Sequence, residues 1–178
     1  MFSSLPKDES LDAVKPKRVR LDASLYEDPI KIEELSDSVC IFDDIDVITD
    51  KKIRQAVYDI LNQVLEIGRH FRTNCIITNH LPTGGKDTRR CLNECHSITY
   101  FPHSASAKIR YLLQEYIGLD VKQIRYIKKQ KSRWCTIFKN YPMTYMLEHE
   151  VGLLDDDDDA DRDVKGRKGL CRENREEN

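Results

Sequence analysis

The segment VCIFDDID, Val39 to Asp46, sets three carboxylates, Asp43, Asp44 and Asp46, directly behind a continuous apolar run. Ser38 to Phe42 has the composition of a buried parallel strand, so the acids stand at its carboxyl end, where a rigid backbone can hold them. Two adjacent carboxylates held this way suit phosphoryl transfer: Asp43 as the metal-side carboxylate for Mg2+, and Asp44 as the group that orients or polarises an attacking water. The plainer reading is that an apolar strand ends in Asp simply because the chain reaches water there. A second apolar run, Asn74 to Thr78, brings Thr78, Asn79 and His80 to its end, polar groups placed where a neighbouring strand would sense a γ-phosphate. Between the two runs, GRHFR offers Arg69, His70 and Arg72, positioned to reach the nucleotide of an adjacent subunit or merely to cap a helix C-terminus, which is worth up to about 1 kcal/mol.

These residues need elements to position them. After Asp50, a suitable N-cap, Ile53, Val57, Ile60, Leu61, Val64, Leu65 and Ile67 recur at helical spacing as far as Gly68. A helix between two apolar strands is a β-α-β unit with a right-handed crossover. The segment Asn79 to Arg90, with Pro82, Gly84 and Gly85, reads as a mobile loop, followed by a short helical turn and a third strand, Ser97 to Phe101. Helical patterns cover Ser104 to Ile117 and Val121 to Lys128 with Gly118 as a stop, and Arg133 to Lys139 with Met143 to Leu147 read as a C-terminal hairpin around Asn140, Tyr141 and Pro142. Residues 1–37, with Pro6, Pro16 and Pro29 among many charges, are expected to form an extended segment with little core of its own, in which Lys17 to Leu21 suggests a short strand. Residues 38–154 would form the folded core, about 120 residues, and residues 155–178 an acidic then mixed-charge tail without an apolar face, expected to be disordered.

The charge is segregated. Of 29 Lys and Arg and 31 Asp and Glu in 178 residues, residues 1–50 hold 6 and 13, residues 51–139 hold 17 and 6, and residues 140–178 hold 6 and 12. A uniformly basic nucleic-acid binder is excluded, whereas a basic centre between acidic ends is not. No apolar run is long enough for a membrane span, and the first residues lack the pattern of a signal peptide, so an intracellular protein with no membrane partner is expected. The six cysteines are too scattered for a disulfide framework.

Other groupings carry weaker chemistry. CLNECH brings Cys91, Cys95 and His96 together, with His80 and His103 elsewhere as further candidate zinc ligands, but adjacent Cys and His compete awkwardly and no second CxxC follows. Cys40 and Cys75 sit inside apolar strands as core residues, and no Cys stands at a strand-to-helix nucleophile turn. Lys122, Arg125, Lys128, Lys129 and Lys131, interleaved with Tyr126 and followed by Arg133 and Trp134, form a candidate phosphate-tracking surface. The same stretch also reads as the solvated face of a helix that packs Ile124 and Ile127.

Taken in order, VCIFDDID, a long helix, EIGRHFRTNCIITNH, SITYFP, a helix ending YIGL, and KKQKSRW before a hairpin resemble the genome-packaging ATPases of large nucleocytoplasmic DNA viruses, a branch of the FtsK/HerA superfamily of P-loop motors. The resemblance covers about residues 1–154. It implies a three-layer RecA-like α/β core with a mainly parallel sheet and a C-terminal β-hairpin, and Asp43 and Asp44 as the second ATPase motif. It further implies Asn79 or His80 as sensor, Arg69, Arg72 or Arg133 as a group acting across a subunit interface, ATP and Mg2+ as cofactors, and a homo-oligomeric ring on double-stranded DNA, in host cytoplasm or virion. One departure is large: no GxxxxGK[ST] string is present, and TGGKDT, Thr83 to Thr88, follows the acidic strand instead of preceding it. On this reading FSSLPKDESLD looks like the end of a strand that should follow the missing phosphate loop and its helix, and the chain is the C-terminal portion of such an ATPase, with the core N-terminally incomplete. The rival expectations are a non-catalytic remnant or regulatory module without a phosphate loop, and a nucleic-acid-binding protein without hydrolysis.

Overall fold

The run Ser38 to Phe42 builds the middle strand of a three-stranded parallel sheet. In the computed structural model, which describes residues 1–5, 9, 13–80, 85–103 and 107–154, this sheet has the order β1 (Phe2–Ser3), β2 (Val39–Asp43), β3 (Asn74–Thr78). The chain divides into two units, Met1–Glu94 and Cys95–Asn178.

In the first unit, α1 (Ser24–Glu27) contributes buried Leu25, and α2 (Lys51–Ile67) is the crossover between β2 and β3. Asp50 caps α2 as its sequence position predicts, accepting from the backbone N–H groups of Lys52 and Ile53 at 2.8 and 3.0 Å. The face of α2 carrying Ala56, Val57, Ile60, Leu61 and Val64 buries against Phe2, Cys40 and Phe42. Gly68 follows the helix in ordinary right-handed geometry, and its missing side chain serves packing: a Cβ there would lie 3.0 Å from the Thr73 carbonyl oxygen. The left-handed residue that turns the chain into β3 is Arg72, at φ 52°.

The strand end expected at the head of FSSLPKDESLD is β1, but the N-terminal segment otherwise differs from expectation. Phe2 is buried and stacks on Phe42 with centroids 4.8 Å apart, and Leu25 and Ile32 join the same core. Apolar residues dispersed among charges can still bury when each meets the sheet separately, which periodicity does not reveal. Lys17 to Leu21 forms no strand, although the Val19 N–H donates to the Met1 carbonyl at 2.9 Å. The segment Asn79 to Arg90, expected as a loop, runs instead into α3 (Gly85–Glu94), which buries Thr88 and Cys91 one turn apart; residues 81–84 lie outside the described residues.

The second unit holds the order β4 (Ser97–Tyr100), α4 (Ala107–Leu112), a π-helical turn Leu113–Ile117, α5 (Val121–Lys129), β5 (Cys135–Phe138), β6 (Thr144–Met146) and β7 (Val151–Leu153). Gly118 ends the first helical stretch at φ 82°, the left-handed conformation that glycine adopts without strain. The SITYF strand does not extend the parallel sheet. It pairs antiparallel with β5, from Ser97 opposite Phe138 to Tyr100 opposite Cys135, in a separate sheet of order β4-β5-β6-β7. Thr99 and Thr136 face each other there, their hydroxyls 2.8 Å apart. Strand composition fixes neither sheet membership nor direction, so a short apolar run fits either sheet. The expected hairpin is β5 and β6, to which β7 adds a third strand. The acidic tail, residues 155–178, lies outside the described residues. No helix among the described residues is long and apolar enough to cross a membrane.

Candidate active site at the carboxyl end of the parallel sheet

The register of the sheet decides the site. Ser3 lies opposite Asp43 on one side and Thr78 opposite Asp43 on the other, so three oxygen-bearing side chains form one row across the last position of the three strands. Side chains alternate along a strand, so this row points away from the α2 core that receives Phe2, Phe42 and Ile77. Asp43 is buried, with 9% of its surface exposed. Its Oδ2 accepts from the Ser3 hydroxyl at 2.8 Å, and its Oδ1 from the Thr78 hydroxyl at 2.9 Å.

Asp44 leaves the strand in the left-handed conformation, φ 48° and ψ 40°, which Asp tolerates better than most residues. Its backbone N–H donates to Thr78 Oγ1 at 3.1 Å, and His80 Nε2 lies 2.9 Å from its Oδ2. The structure therefore brings together Asp43, Asp44, Thr78 and His80, all singled out in the sequence, and adds Ser3, which the sequence places at a strand end without marking it as part of a site. Asp46 lies in the next turn, and its buried Oδ1 has no hydrogen-bond partner. Asn79 is exposed beside the cluster.

The donor set is one of hard oxygen atoms, which suits Mg2+. Asp43 meets two neutral hydroxyls, and among the described residues no Lys or Arg pairs with it. A buried carboxylate whose charge no cation balances fits a divalent metal. Asp43 and Asp44 are the residues that would hold it. The sequence contains no GxxxxGK[ST] string, the Gly-flanked N–H groups and Lys that would cradle a triphosphate.

Two of the three candidate arginines have ion-pair partners of their own. Arg72 makes a two-pronged pair with Asp37, Nε to Oδ1 at 2.5 Å and Nη2 to Oδ2 at 2.8 Å, and this partner holds the Asp37 carboxyl below its ordinary range. That contact gives Arg72 a local task, fixing the left-handed turn before β3. Arg133 donates to Glu148 through its backbone N–H at 3.0 Å and its Nε at 2.7 Å, and these bonds, the backbone one foremost, lower the Glu148 carboxyl. Arg69 is exposed, has no ion pair among the described residues, and is in that sense the freest of the three.

A curated protein resembles this chain. Over 156 residues it is 43% identical to "Uncharacterized protein V3" of Sputnik virophage, a match that covers 86% of this chain and 63% of that protein. The chain thus spans less than two thirds of the length of the relative it matches. No family model matches the chain, and no solved structure matches it.

On α5 the basic side chains Lys122, Arg125, Lys128 and Lys129 are exposed, with Lys131 just beyond, while Ile124 and Ile127 are buried. This is the solvated helix face that the sequence pattern also allows: the apolar side packs and the basic side faces solvent. The Tyr126 hydroxyl donates to Glu150 Oε1 at 2.6 Å, and Tyr145 donates to the same oxygen, which ties α5 to the antiparallel sheet. Among the described residues no group of three or more His, Cys, Asp or Glu side chains is placed to hold a metal ion, which applies to Cys91, Cys95 and His96 as it does to Asp43, Asp44 and His80; Asp43 and Asp44 would supply two carboxylates of such a site.

Proposed function

We propose that this chain carries the acidic-strand part of a P-loop motor ATPase of the viral genome-packaging type, with a RecA-like three-layer core, acting on double-stranded DNA as a homo-oligomeric ring. The observation that carries the reading is the Ser3, Asp43 and Thr78 row with Asp44 beside it, at the carboxyl end of an all-parallel sheet. In open parallel sheets, ligands bind at that end. Two further features support it. Among the described residues β3 pairs only with β2, leaving an edge that can accept a strand. The site-bearing face also leaves Val39 57% and Ile76 55% exposed, whereas parallel sheets are ordinarily covered on both sides. A strand and helices bringing a phosphate loop would cover both. That the relative belongs to a virus agrees with the packaging reading.

In this function Asp43, fixed by Ser3 and Thr78, would hold the Mg2+, and Asp44 would orient the attacking water or take its proton. His80 holds the Asp44 carboxylate, Asn79 is exposed to reach a γ-phosphate, and Arg69 is exposed for a neighbouring subunit. Mg2+ and ATP, when bound, supply charge neutralisation and the phosphoryl group. The test is ATP turnover by the purified chain, alone and with a phosphate-loop segment joined ahead of Phe2. Alone, the chain has negligible turnover. Joined, it hydrolyses ATP, and Asp44→Asn abolishes hydrolysis while largely sparing binding. Robust turnover by the chain alone that Asp44→Asn removes would overturn this account of where the phosphates are held.

A second reading, nucleic-acid binding without hydrolysis, is favoured by the exposed basic side of α5. It predicts salt-dependent duplex binding together with no turnover in either form. A remnant or regulatory module predicts neither.

A further inference from the structure

We infer that Ser3 is a positioning residue for Asp43, and that with Thr78 it forms a two-hydroxyl brace presetting that carboxylate toward a divalent cation. This rests on the reading of Asp43 as the metal-side carboxylate, and it assigns a role to β1 that the acidic motif alone does not contain.

Each hydroxyl has one proton, and the direction of that proton decides the brace. Ser3 Oγ accepts the Leu5 N–H at 3.2 Å, and Thr78 Oγ1 accepts the Asp44 N–H at 3.1 Å. With a lone pair of each oxygen engaged by a backbone donor, the protons are left to point at Asp43, at 2.8 and 2.9 Å. Thr78 also lies 3.3 Å from Asp44 Oδ1, a longer and weaker alternative for the same proton. A carboxylate offers about four lone-pair directions, so two remain for a cation.

The chemistry of the braces matters as much as their placement. Lys or Arg at either position would neutralise Asp43 and compete with a cation. Hydroxyls hold the carboxylate plane while leaving its charge unbalanced, and two of them from separate strands fix both oxygens. Because Ser3, Asp43 and Thr78 share one register row, the carboxylate is held from both flanking strands of the sheet. Groups that orient a metal ligand in this way typically contribute about 10- to 100-fold to metal affinity.

The experiment titrates the full chain with Mn2+, reading free Mn2+ by electron paramagnetic resonance, with Mg2+ as competitor. Amide hydrogen exchange at Phe42 and Asp43 reports whether β1 stays paired. Wild type binds Mn2+ and Mg2+ displaces it, whereas Asp43→Asn does not bind. Ser3→Ala and Thr78→Val each weaken binding about 10-fold with exchange protection retained, while Ser3→Thr and Thr78→Ser, which keep the hydroxyl, bind as wild type. Wild-type affinity in Ser3→Ala and Thr78→Val would overturn the brace and leave the ATPase reading standing. So would loss of binding in Ser3→Thr with protection intact. Absence of Mn2+ binding by the wild-type chain would also overturn it, whereas the ATPase reading stands or falls on turnover with the phosphate-loop segment.

Discussion

Replacing Phe2 by Ala removes the side chain that fastens β1, and so Ser3, to the sheet. Phe2 is 1% exposed, and its ring lies 4.8 Å from that of Phe42 at an interplanar angle of 4°, with Phe42 itself fully buried. Truncating a buried Phe to Ala costs about 3–5 kcal/mol, from lost transfer energy, lost ring stacking and the cavity left behind. A strand of two residues has little backbone pairing to offset that loss. Domains are stable by about 5–15 kcal/mol, so about 4 kcal/mol would consume much of the margin. For a unit of this size the melting temperature should fall by on the order of 20 °C. Urea unfolding followed by far-UV circular dichroism measures the cost, and amide exchange at Cys40 to Asp43 locates it. A loss below about 1 kcal/mol with unchanged exchange would refute the reasoning, because it would mean that β1 is not part of the core.

Three further outcomes follow from particular contacts. Replacing Lys128, Lys129 and Lys131 together by Ala should shallow the salt dependence of duplex DNA binding, by up to about 2.7 in the log–log slope if each meets one phosphate, as anisotropy titrations would read; an unchanged slope refutes the assignment. Gly152→Ala would place a Cβ 2.5 Å from Tyr145 Oη, displacing the phenol from Glu150, so unfolding followed by Trp134 fluorescence should show a loss of about 1–3 kcal/mol; no loss contradicts the packing. Burial first, then hydrogen bonding to Glu150 and Tyr126, raises the Tyr145 phenol above its ordinary value, so the folded state keeps a proton that the unfolded state loses. Its stability contribution is complete below about pH 10 and declines as pH rises further, and Tyr145→Phe should flatten that decline in pH-dependent unfolding.

Much of the candidate site was legible because it lies in short continuous stretches. The run from Cys40 to Asp44 announces a strand that ends in carboxylates, and Asn74 to His80 announces its neighbour. The Asp50 cap and the spacing from Ile53 to Val64 announce the helix between them. Gly118 marks the stop of the helical stretch ending at Ile117 for a local reason too, since a left-handed residue at a helix end favours glycine. What failed was whatever depended on distant pairing. SITYF is equally consistent with a parallel or an antiparallel neighbour, and only its ladder with Cys135 to Phe138 decides. Gly85 to Arg90 carries loop-like residues, yet burial of Thr88 and Cys91 recruits them into a helix.

The sequence by itself determined the kinds of element and the chemistry at their ends: apolar strands finishing in Asp43 and Thr78, an amphipathic helix between them, and a basic α5 with Ile124 and Ile127 on its packed side. These are properties of neighbouring residues, and side-chain periodicity exposes them directly. The tertiary structure alone decided that Ser3 stands beside Asp43, 40 positions away in the chain, that Arg72 spends its charge on Asp37 and Arg133 on Glu148, and that the strands divide into two sheets. Register is the physical reason. A shift of one residue between β1 and β2 would turn Ser3 to the opposite face, and register is set by packing such as Phe2 on Phe42 that no local pattern records.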